Sequence, residues 1–333
     1  MPISTSYNPN APQAKLGQGS AISNREDLSQ ELTILAPEET PILSLCSKGK
    51  ANSTFKEWTV DSLAAPSIVG VAEGSDVNTF SDKFADRARL GNYVQTFRRD
   101  YLVSNLQQAV TSVGPANIAQ AEAKSMRELK RDVEARIASN EDRSVENGAG
   151  TPYALRGLGD WLDSAGPSDV PAAYRTPADS IRTSAGLSET QFNSLIGSIF
   201  SRNGEMNSLT LVANVALRQL ISGFTRATPA SAGVTYHVNQ DATSKAITLA
   251  VNVYDSDFGM VKIVNANPAC MPTATTNVGY ILNPKYLGFD SLIPMGATRL
   301  ENQGGGERGY VDMTGTLVCK HPQAHGKIAN AAS

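Results

Sequence analysis

The sequence predicts a mixed α+β chain built around one long helix, one projecting hairpin and a helix-bearing middle section, and three observations carry that expectation. Residues 117–142 repeat apolar side chains at helical spacing. Two alternating, strand-like stretches at 55–63 and 92–103 are separated by a long, charged connection. From Ser188 onward, helix-capping signals are interleaved with short runs in which Val, Ile and Leu alternate. Size is no obstacle to stability, because a compact chain of 333 residues buries about three quarters of its unfolded surface. Hydrophobic residues are 41% of the chain but charged residues only 18%, below the usual share of about 25%. Low charge on a chain this long suits a surface that lies against other subunits.

Taken in order, residues 1–22 are rich in Ser, Asn, Pro, Gln and Gly with no hydrophobic period, and are expected to form an extended or disordered arm. Ser23 and Glu26 make a capping box for a helix carrying Leu28, Leu32 and Leu35, which Pro37 interrupts. Thr40 and Pro41 then fit the cap and first position of a short helix closed by Lys48 and Gly49. Phe55–Leu63 is strand-like, with Trp58 and Val60 on one face, and Tyr93, Phe97, Tyr101 and Val103 alternate along a second strand. The connection at 64–88 holds Glu73, Asp76, Asp82, Lys83, Asp86 and Arg87 and is read as having few apolar anchors. Hairpin loops usually run about 2–5 residues. This one is therefore either a functional loop or a projecting hairpin, which with ten paired residues a side would reach about 33 Å and need a partner to lie on.

The long helix places Ile118, Met126, Leu129, Val133 and Ile137 in one stripe, and Lys124–Glu128, Lys130–Glu134 and Asp132–Arg136 are spaced for ion pairs on its other faces. It reads as a half-exposed rod. After a Gly/Pro-rich stretch containing Arg156-Gly157-Leu158-Gly159, Ser188 and Gln191 make another capping box, with Leu187 and Phe192 as its hydrophobic staple. Phe192, Leu195, Ile196, Ile199 and Phe200 share a helix face, Leu209–Ala213 is a short strand, and Asn214 caps a helix ended by Gly223. Ile247, Leu249, Val251 and Val253 alternate along a strand that turns at Asp255–Gly259 towards Val261 and Ile263. Further strands are expected at Val278–Leu282 and Tyr286–Ile293, and a last pair flanks Gly304-Gly305-Gly306, with Val311, Met313, Leu317 and Cys319 on one face.

Several function classes are excluded. A net charge of −3 argues against a dedicated nucleic-acid binder, which needs a basic footprint. No run of about 18 apolar residues offers a membrane span, and the first residues lack the apolar centre of a signal peptide. Cys46, Cys270 and Cys319 are odd in number and far apart, so buried thiols in a reducing environment are expected. His321 and His325 lack the further ligands a metal site needs, and a packing or surface role is expected for them and for His237. Asp255-Ser256-Asp257 opens like a calcium loop, but Met260 and Ala266 stand where Gly and Glu are required. Gly17-Gln18-Gly19 and Gly304–Gly306 do not lie on strand-to-helix turns, and no Gly-x-Ser-x-Gly elbow occurs. Arg87, Arg89, Arg98 and Arg99 form the densest cationic cluster, but with Asp82, Asp86 and Asp100 interleaved, ion pairing within or between chains is expected rather than phosphate binding. No catalytic constellation, cofactor site or metal site is expected.

The order of elements resembles the major capsid protein of tailed phages and prophages, with its Hong Kong 97-like fold. Local wording carries the same resemblance: Glu39-Thr40-Pro41-Ile42-Leu43-Ser44, then Gly49-Lys50-Ala51, then Glu57-Trp58-Thr59-Val60-Asp61-Ser62-Leu63. Leu129-Lys130-Arg131-Asp132-Val133-Glu134, Arg156-Gly157-Leu158, Val253-Tyr254-x-Ser256-Asp257-Phe258-Gly259, Leu317-Val318 and Ala324-His325-Gly326 follow in the right order, so that the resemblance spans about Ser23 to Ile328. It implies an arm and short helices at 1–50, an extended-loop hairpin over a neighbouring subunit at 51–105, and a peripheral domain at 106–164 with its spine helix at 117–142. It further implies an axial domain at 165–295 and strands returning to the peripheral domain at 296–333.

Under that resemblance the chain is a structural protein, not an enzyme. It self-assembles as hexamers and pentamers into an icosahedral head that encloses double-stranded DNA, touched non-specifically. Its other implied partners are a separate scaffolding protein (only about twenty residues precede the first helix), a portal and a decoration protein, with no membrane. Its place is the virion, assembled in the cytoplasm of a bacterial host. Candidate inter-subunit contacts are Trp58, Asp82, Lys83, Asp86, Arg87, Arg89, Phe97, Arg98, Arg99 and Tyr101, with Trp58, Phe97 and Tyr101 expected to anchor the hairpin stem. Lys83 is the extended loop's one lysine, and no local motif marks a crosslinking partner for it. The alternatives are an encapsulin-like cellular compartment, an enzyme whose site is assembled from distant residues, and a host-binding or decoration protein.

Overall fold

A computed structural model describes residues 39–109, 117–148, 150–203, 209–224, 252–271 and 277–330. The expected arm, the helix with Leu28, Leu32 and Leu35, His237, Gly17-Gln18-Gly19 and the strand residues Ile247–Val251 lie outside these.

The chain starts with a short helix, α1 (Pro41–Leu45), and a strand, β1 (Ser47–Lys50). The helix is shorter than Thr40 and Gly49 suggested, because Ser47–Lys50 pairs in parallel with a distant strand. Two strands follow, β2 (Phe55–Val60) and β3 (Ala88–Tyr93), paired antiparallel from Phe55↔Tyr93 to Val60↔Ala88. After Val94 come β4 (Gln95–Val103) and a short helix, α2 (Asn105–Ala109). The single strand expected over 92–103 is thus two elements. Its first residues close the hairpin, and the rest joins another sheet.

The long helix α3 runs Ile118–Ala138, with the Asn117 side chain accepting from Gln120 N at 3.0 Å as its N-cap. Leu129, Val133 and Ile137 are fully buried, while Ile118 and Met126 pack at the margin of the core. Of the three expected helix-surface pairs, Lys124–Glu128 forms at 3.9 Å. Asp132 is instead held by Arg99 of β4 at 2.6 Å, and Glu134 is buried. A short helix, α4 (Leu158–Trp161), and a brief strand, β5 (Ile181–Thr183), lead into α5 (Glu189–Asn203), β6 (Thr210–Ala213) and α6 (Val215–Phe224). Then come β7 (Val253–Ser256), β8 (Gly259–Asn265), β9 (Asn277–Leu282), β10 (Leu287–Leu300), β11 (Glu307–Cys319) and β12 (Gly326–Ala329).

These elements make two larger sheets. The first, in the order β1-β10-β11-β4, lays its apolar face on α3. Phe97, Val311, Met313 and Leu317 meet Leu129, Val133 and Ile137 there, in one cluster with Ile42, Leu155, Leu158 and Trp161. Burying a Leu or Val side chain stabilises by about 1.5–3 kcal/mol, so this face holds helix and sheet together. Gly309 allows close strand packing, because a Cβ there would lie 2.5 Å from the Tyr101 hydroxyl. The second sheet has six strands in the order β5-β12-β9-β6-β8-β7 and a separate core, in which Phe192, Leu195, Ile196 and Ile199 of α5 and Leu217 and Ile221 of α6 meet Leu211, Val261, Ile263, Ile281 and Ile328.

Local signals held well here. Ser188 and Gln191 exchange both capping-box bonds, at 3.2 and 3.3 Å. Asn214 Oδ1 accepts from Leu217 N at 2.9 Å. β10 enters the first sheet together with β11, whereas β12 inserts between β5 and β9 of the second.

Candidate functional site

The feature of this chain with least support from itself is the stretch between β2 and β3. Strand pairing stops at Val60↔Ala88, and residues 61–87 continue as an exposed loop, so the longer projecting hairpin does not form within one chain. Seven large apolar side chains stand in solvent along it: Leu63, Ile68, Val69, Val71, Val77, Phe80 and Phe84, from 64% to 99% exposed. This corrects the reading of the connection as poor in apolar anchors. Single exposed apolar residues are ordinary, but a run of them on one segment marks a surface built to be covered.

The base of the loop is fixed by the segment after α3. The Trp58 ring lies 5.7 Å from that of Trp161, and the Phe55 and Tyr93 rings are 4.6 Å apart across the hairpin. The Arg143 guanidinium sits over both, 5.0 Å from Phe55 and 5.6 Å from Tyr93, while its Nη1 donates to the Gly91 carbonyl. Asn92 is wholly buried, accepting from Arg156 N at 2.8 Å and donating to Leu317 O at 2.9 Å. The Tyr174 hydroxyl donates to the Asp86 carbonyl where the loop returns.

Beneath this contact lies a buried cation that motif reading passed over. The Arg156 side chain is 1% exposed and forms ion pairs with Asp142 at 2.7 Å, Asp160 at 2.9 Å and Asp169 at 2.7 Å, with its guanidinium carbon 4.8 Å from the Trp161 ring. Burial alone would lift the Asp169 carboxyl, but hydrogen bonds and charge from Arg156, aided by Arg143, outweigh it and hold Asp169 below the usual carboxylate range. Of its three acids, Asp160 stands at i+4 and was within reach of local spacing, whereas Asp142 and Asp169 lie 14 and 13 residues away, where no motif marks them.

The candidate contact residues divide by location. Trp58 belongs to the hairpin base, half-buried against Trp161. Phe97 and Tyr101 are 7% exposed and face α3 from β4, so they belong to the sheet core and not to a hairpin stem. The arginines pair within the chain: Arg87 with Asp61 at 3.1 Å, Arg89 with Glu57 at 3.6 Å, Arg98 with Asp312 at 3.6 Å and Arg99 with Asp132. Asp82 Oδ1 accepts from Phe84 N at 2.9 Å, turning the chain locally, and Lys83 and Asp86 are exposed.

Where the chain enters this body, a second buried carboxylate is decisive. Both oxygens of Glu134 accept from α1, from Ile42 N and Leu43 N, each at 2.8 Å. Thr40 makes no side-chain cap, so a residue of α3 does that work. Burial pushes the Glu134 carboxyl up to about 7, against the pull of those two bonds.

Possible chemical sites are sparse among the described residues. His321 and His325 flank a 3₁₀ turn, Pro322–Ala324, instead of sharing a helix face. His325 Nδ1 accepts from Asn283 N at 3.1 Å, and burial takes its pKa down to about 4. Burial raises all three thiols, Cys46 and Cys319 most, which leaves them protonated and unreactive. Asp257 accepts from Asn193 Nδ2 at 2.8 Å beside the β7–β8 turn. No group of three or more His, Cys, Asp or Glu among the described residues is placed to hold a metal. No helix among them is long and apolar enough to cross a membrane. A cavity of about 320 Å³ beside α3 is lined by Arg99, Glu128, Arg131 and Asp132, and Arg99 and Asp132 already neutralise each other there.

A single-faced sheet carried on a long helix, a second self-contained sheet and a long apolar loop supported only at its base is the geometry of a subunit made for packing. A family model described as SU10 major capsid protein matches residues 10–332. The chain belongs to that family. It is a major capsid protein of a tailed phage, with the Hong Kong 97-like fold that the order of elements resembled. The solved capsid of cyanophage P-SCSP1u matches with a TM-score of 0.60 at 11% identity, covering 99% of this chain and 100% of that one. Gordonia phage Cozz matches with a TM-score of 0.59 at 14% identity over 98% and 99% of the two chains. The capsid of a native GTA particle matches with a TM-score of 0.63 at 13% identity over 94% and 97%. None of the curated proteins compared with the chain matches it. The family match favours the phage head over a cellular compartment, and the virion capsid is where this major capsid protein resides.

Proposed function

We propose that this capsid protein assembles as hexamers and pentamers into an icosahedral head around double-stranded DNA, and that the 61–87 loop lies on a neighbouring copy. The observation that carries the reading is the run of seven exposed apolar side chains on that loop. Covering them yields about 1.5–3 kcal/mol each, on the order of 10–20 kcal/mol gross. That is comparable to the roughly 4–15 kcal/mol cost of immobilising a partner. One such contact is marginal alone, and a closed ring of them is stable through avidity. Asp82, Lys83, Asp86, Arg87 and Arg89 would supply polar contacts around the apolar ones.

In this reading residues 51–105 are the extended loop and its stem, 106–164 the peripheral domain and 165–295 the axial domain. Residues 1–50 form the arm and its short helices, and 296–333 return to the first sheet except for β12, which belongs to the second. The chain works by surface complementarity instead of catalysis. Its partners are its own copies, a separate scaffolding protein, a portal and a decoration protein, and its net charge of −3 suits a container that touches DNA only non-specifically. Assembly takes place in the bacterial cytoplasm.

Native mass spectrometry with negative-stain microscopy tests this, on the chain alone and with its scaffold. Pentamers, hexamers or closed shells are expected. Replacing Ile68, Val71, Phe80 and Phe84 together by Ser should leave a folded subunit whose shell yield falls at least tenfold. A compact monomer under both conditions, or normal yield from the variant, overturns the reading.

A further inference from the structure

The charge cluster beneath the loop base does not balance. Glu141, Asp142, Asp160, Asp163 and Asp169 face Arg136, Arg143, Arg156 and Lys327, five carboxylates against four cations, with Arg136 and Glu141 paired to each other at 4.0 Å. Arg143 and Arg156 both serve Asp169. Lys327 spends its hydrogen bonds on neutral oxygens, Asn140 Oδ1 at 3.1 Å and Gly159 O at 2.8 Å. The shortfall falls on Asp142 and Asp160. Arg156 Nε lies 2.7 Å from Asp142 Oδ1 and 2.9 Å from Asp160 Oδ2, and a guanidinium Nε carries one hydrogen. That hydrogen goes to Asp142, and Asp160 Oδ2 is left buried without a hydrogen bond. Two carboxylates side by side with one donor too few are the arrangement in which a carboxyl and a carboxylate share a proton.

We propose that Asp160 carries a proton which it donates to the Asp142 carboxylate, and that this hydrogen bond locks the socket which holds the base of the 61–87 loop. The socket reaches the hairpin through the groups already described. Arg156 carries Asn92 on its own backbone, Arg143 holds the Gly91 carbonyl and the two rings, and Trp161, stacked on the Arg156 guanidinium, supports Trp58. Asp142, Asp160 and Arg156 are thus positioning residues for the loop.

The direction of the effect follows from the environment of Asp160. Burial, then the charge of Asp142, lifts its carboxyl to about 6, against the opposing pull of Arg156 and with a further small push from Asp163. A carboxyl raised in the folded state binds its proton more tightly there than in the opened chain. Stabilisation of the socket therefore grows as pH falls from about 6 towards 4, and is lost as pH rises through that window. Asp169, held low, acts in the opposite sense only below its ordinary range and leaves the window from pH 7.5 to 5 undisturbed, whereas Glu134, raised to about 7, titrates inside it, so every chain compared here also carries Glu134→Gln.

Hydrogen exchange on the full chain, as free subunit and as shell, reads this directly. Protection factors, which remove the intrinsic pH dependence of exchange, should rise for residues 55–60 and 88–93 by about tenfold between pH 7.5 and pH 5. Asp160→Asn puts a permanent N–H donor beside Asp142, so its hairpin should be as protected at pH 7.5 as the chain with Glu134→Gln alone is at pH 5, with no pH dependence. Asp142→Asn, at the more exposed position of the pair, should flatten the profile in the same way and decides the matter if Asp160→Asn does not fold. A pH profile that persists in the variants overturns the proposal. So does a change spread evenly over the chain, which would report global stability and not the socket.

Discussion

The α3 helix and the 61–87 loop are both rich in large apolar residues, and their fates are opposite. Leu129, Val133 and Ile137 are fully buried because β4 and β11 of the same chain lie across them. Ile68, Val71 and Phe80 are 85–99% exposed because none of the described residues lies across them. Hydrophobicity alone does not separate the two. What separates them is whether a complementary face of the same polypeptide lies across them.

The largest expected effect tests that contrast head on. Leu129→Ala should cost the isolated subunit about 3 kcal/mol, from lost burial plus a residual cavity, read as a lower urea midpoint. Phe80→Ala should shift the same midpoint by under about 0.5 kcal/mol while lowering shell yield. Equal losses of stability from the two would mean that the loop has a partner within its own chain, and the contrast would collapse.

The next effect is a change with pH at the entry to the body. Glu134 holds its proton more tightly in the folded chain than in the unfolded one, at about 7 against 4.5. The stability it contributes therefore falls as pH rises between those values. Glu134→Gln does not titrate, so the variant should gain on the unaltered chain by on the order of 2 kcal/mol from pH 4.5 to 7.5. A constant offset between the two urea midpoints would show that Glu134 keeps one protonation state throughout. Smaller still is Asn117→Ala, which removes the side-chain cap of α3 and should cost roughly 1 kcal/mol. That loss belongs to the subunit alone, so it sharpens the contrast if shell yield is unaffected once the subunit is folded.

Elements governed by neighbouring residues could be read from the sequence. The capping box at Ser188 and Gln191, the Asn214 cap, the stripe of α3 and the alternation of Val311 and Met313 each involve residues a few positions apart, and each appears as expected. Errors arose where a distant partner decides. Ser47–Lys50 would have continued a helix but pairs with residues 288–291. Asp132 had Arg136 in reach along the helix and is taken by Arg99. Phe97 and Tyr101 alternated like hairpin residues, yet β11 claims their strand. The site followed the same rule. The long connection between two strands was visible, and Asp160 stood at i+4 from Arg156, whereas Asp142 and Asp169 are brought to that guanidinium only by the folded chain.

The register of the sheets also has a consequence for synthesis. β1 waits for Gly288–Ser291, and the second sheet is completed only when Gly326–Ala329 slides between β5 and β9. A chain emerging from the ribosome therefore exposes its apolar loop long before it owns a finished body to present it from. Contacts of such high sequence separation form slowly. Glu73, Asp76, Asp82 and Asp86, scattered through the loop, are the charges that keep this early segment from clumping during the delay. A chain that stops before Gly326 therefore lacks a strand from the middle of its second sheet.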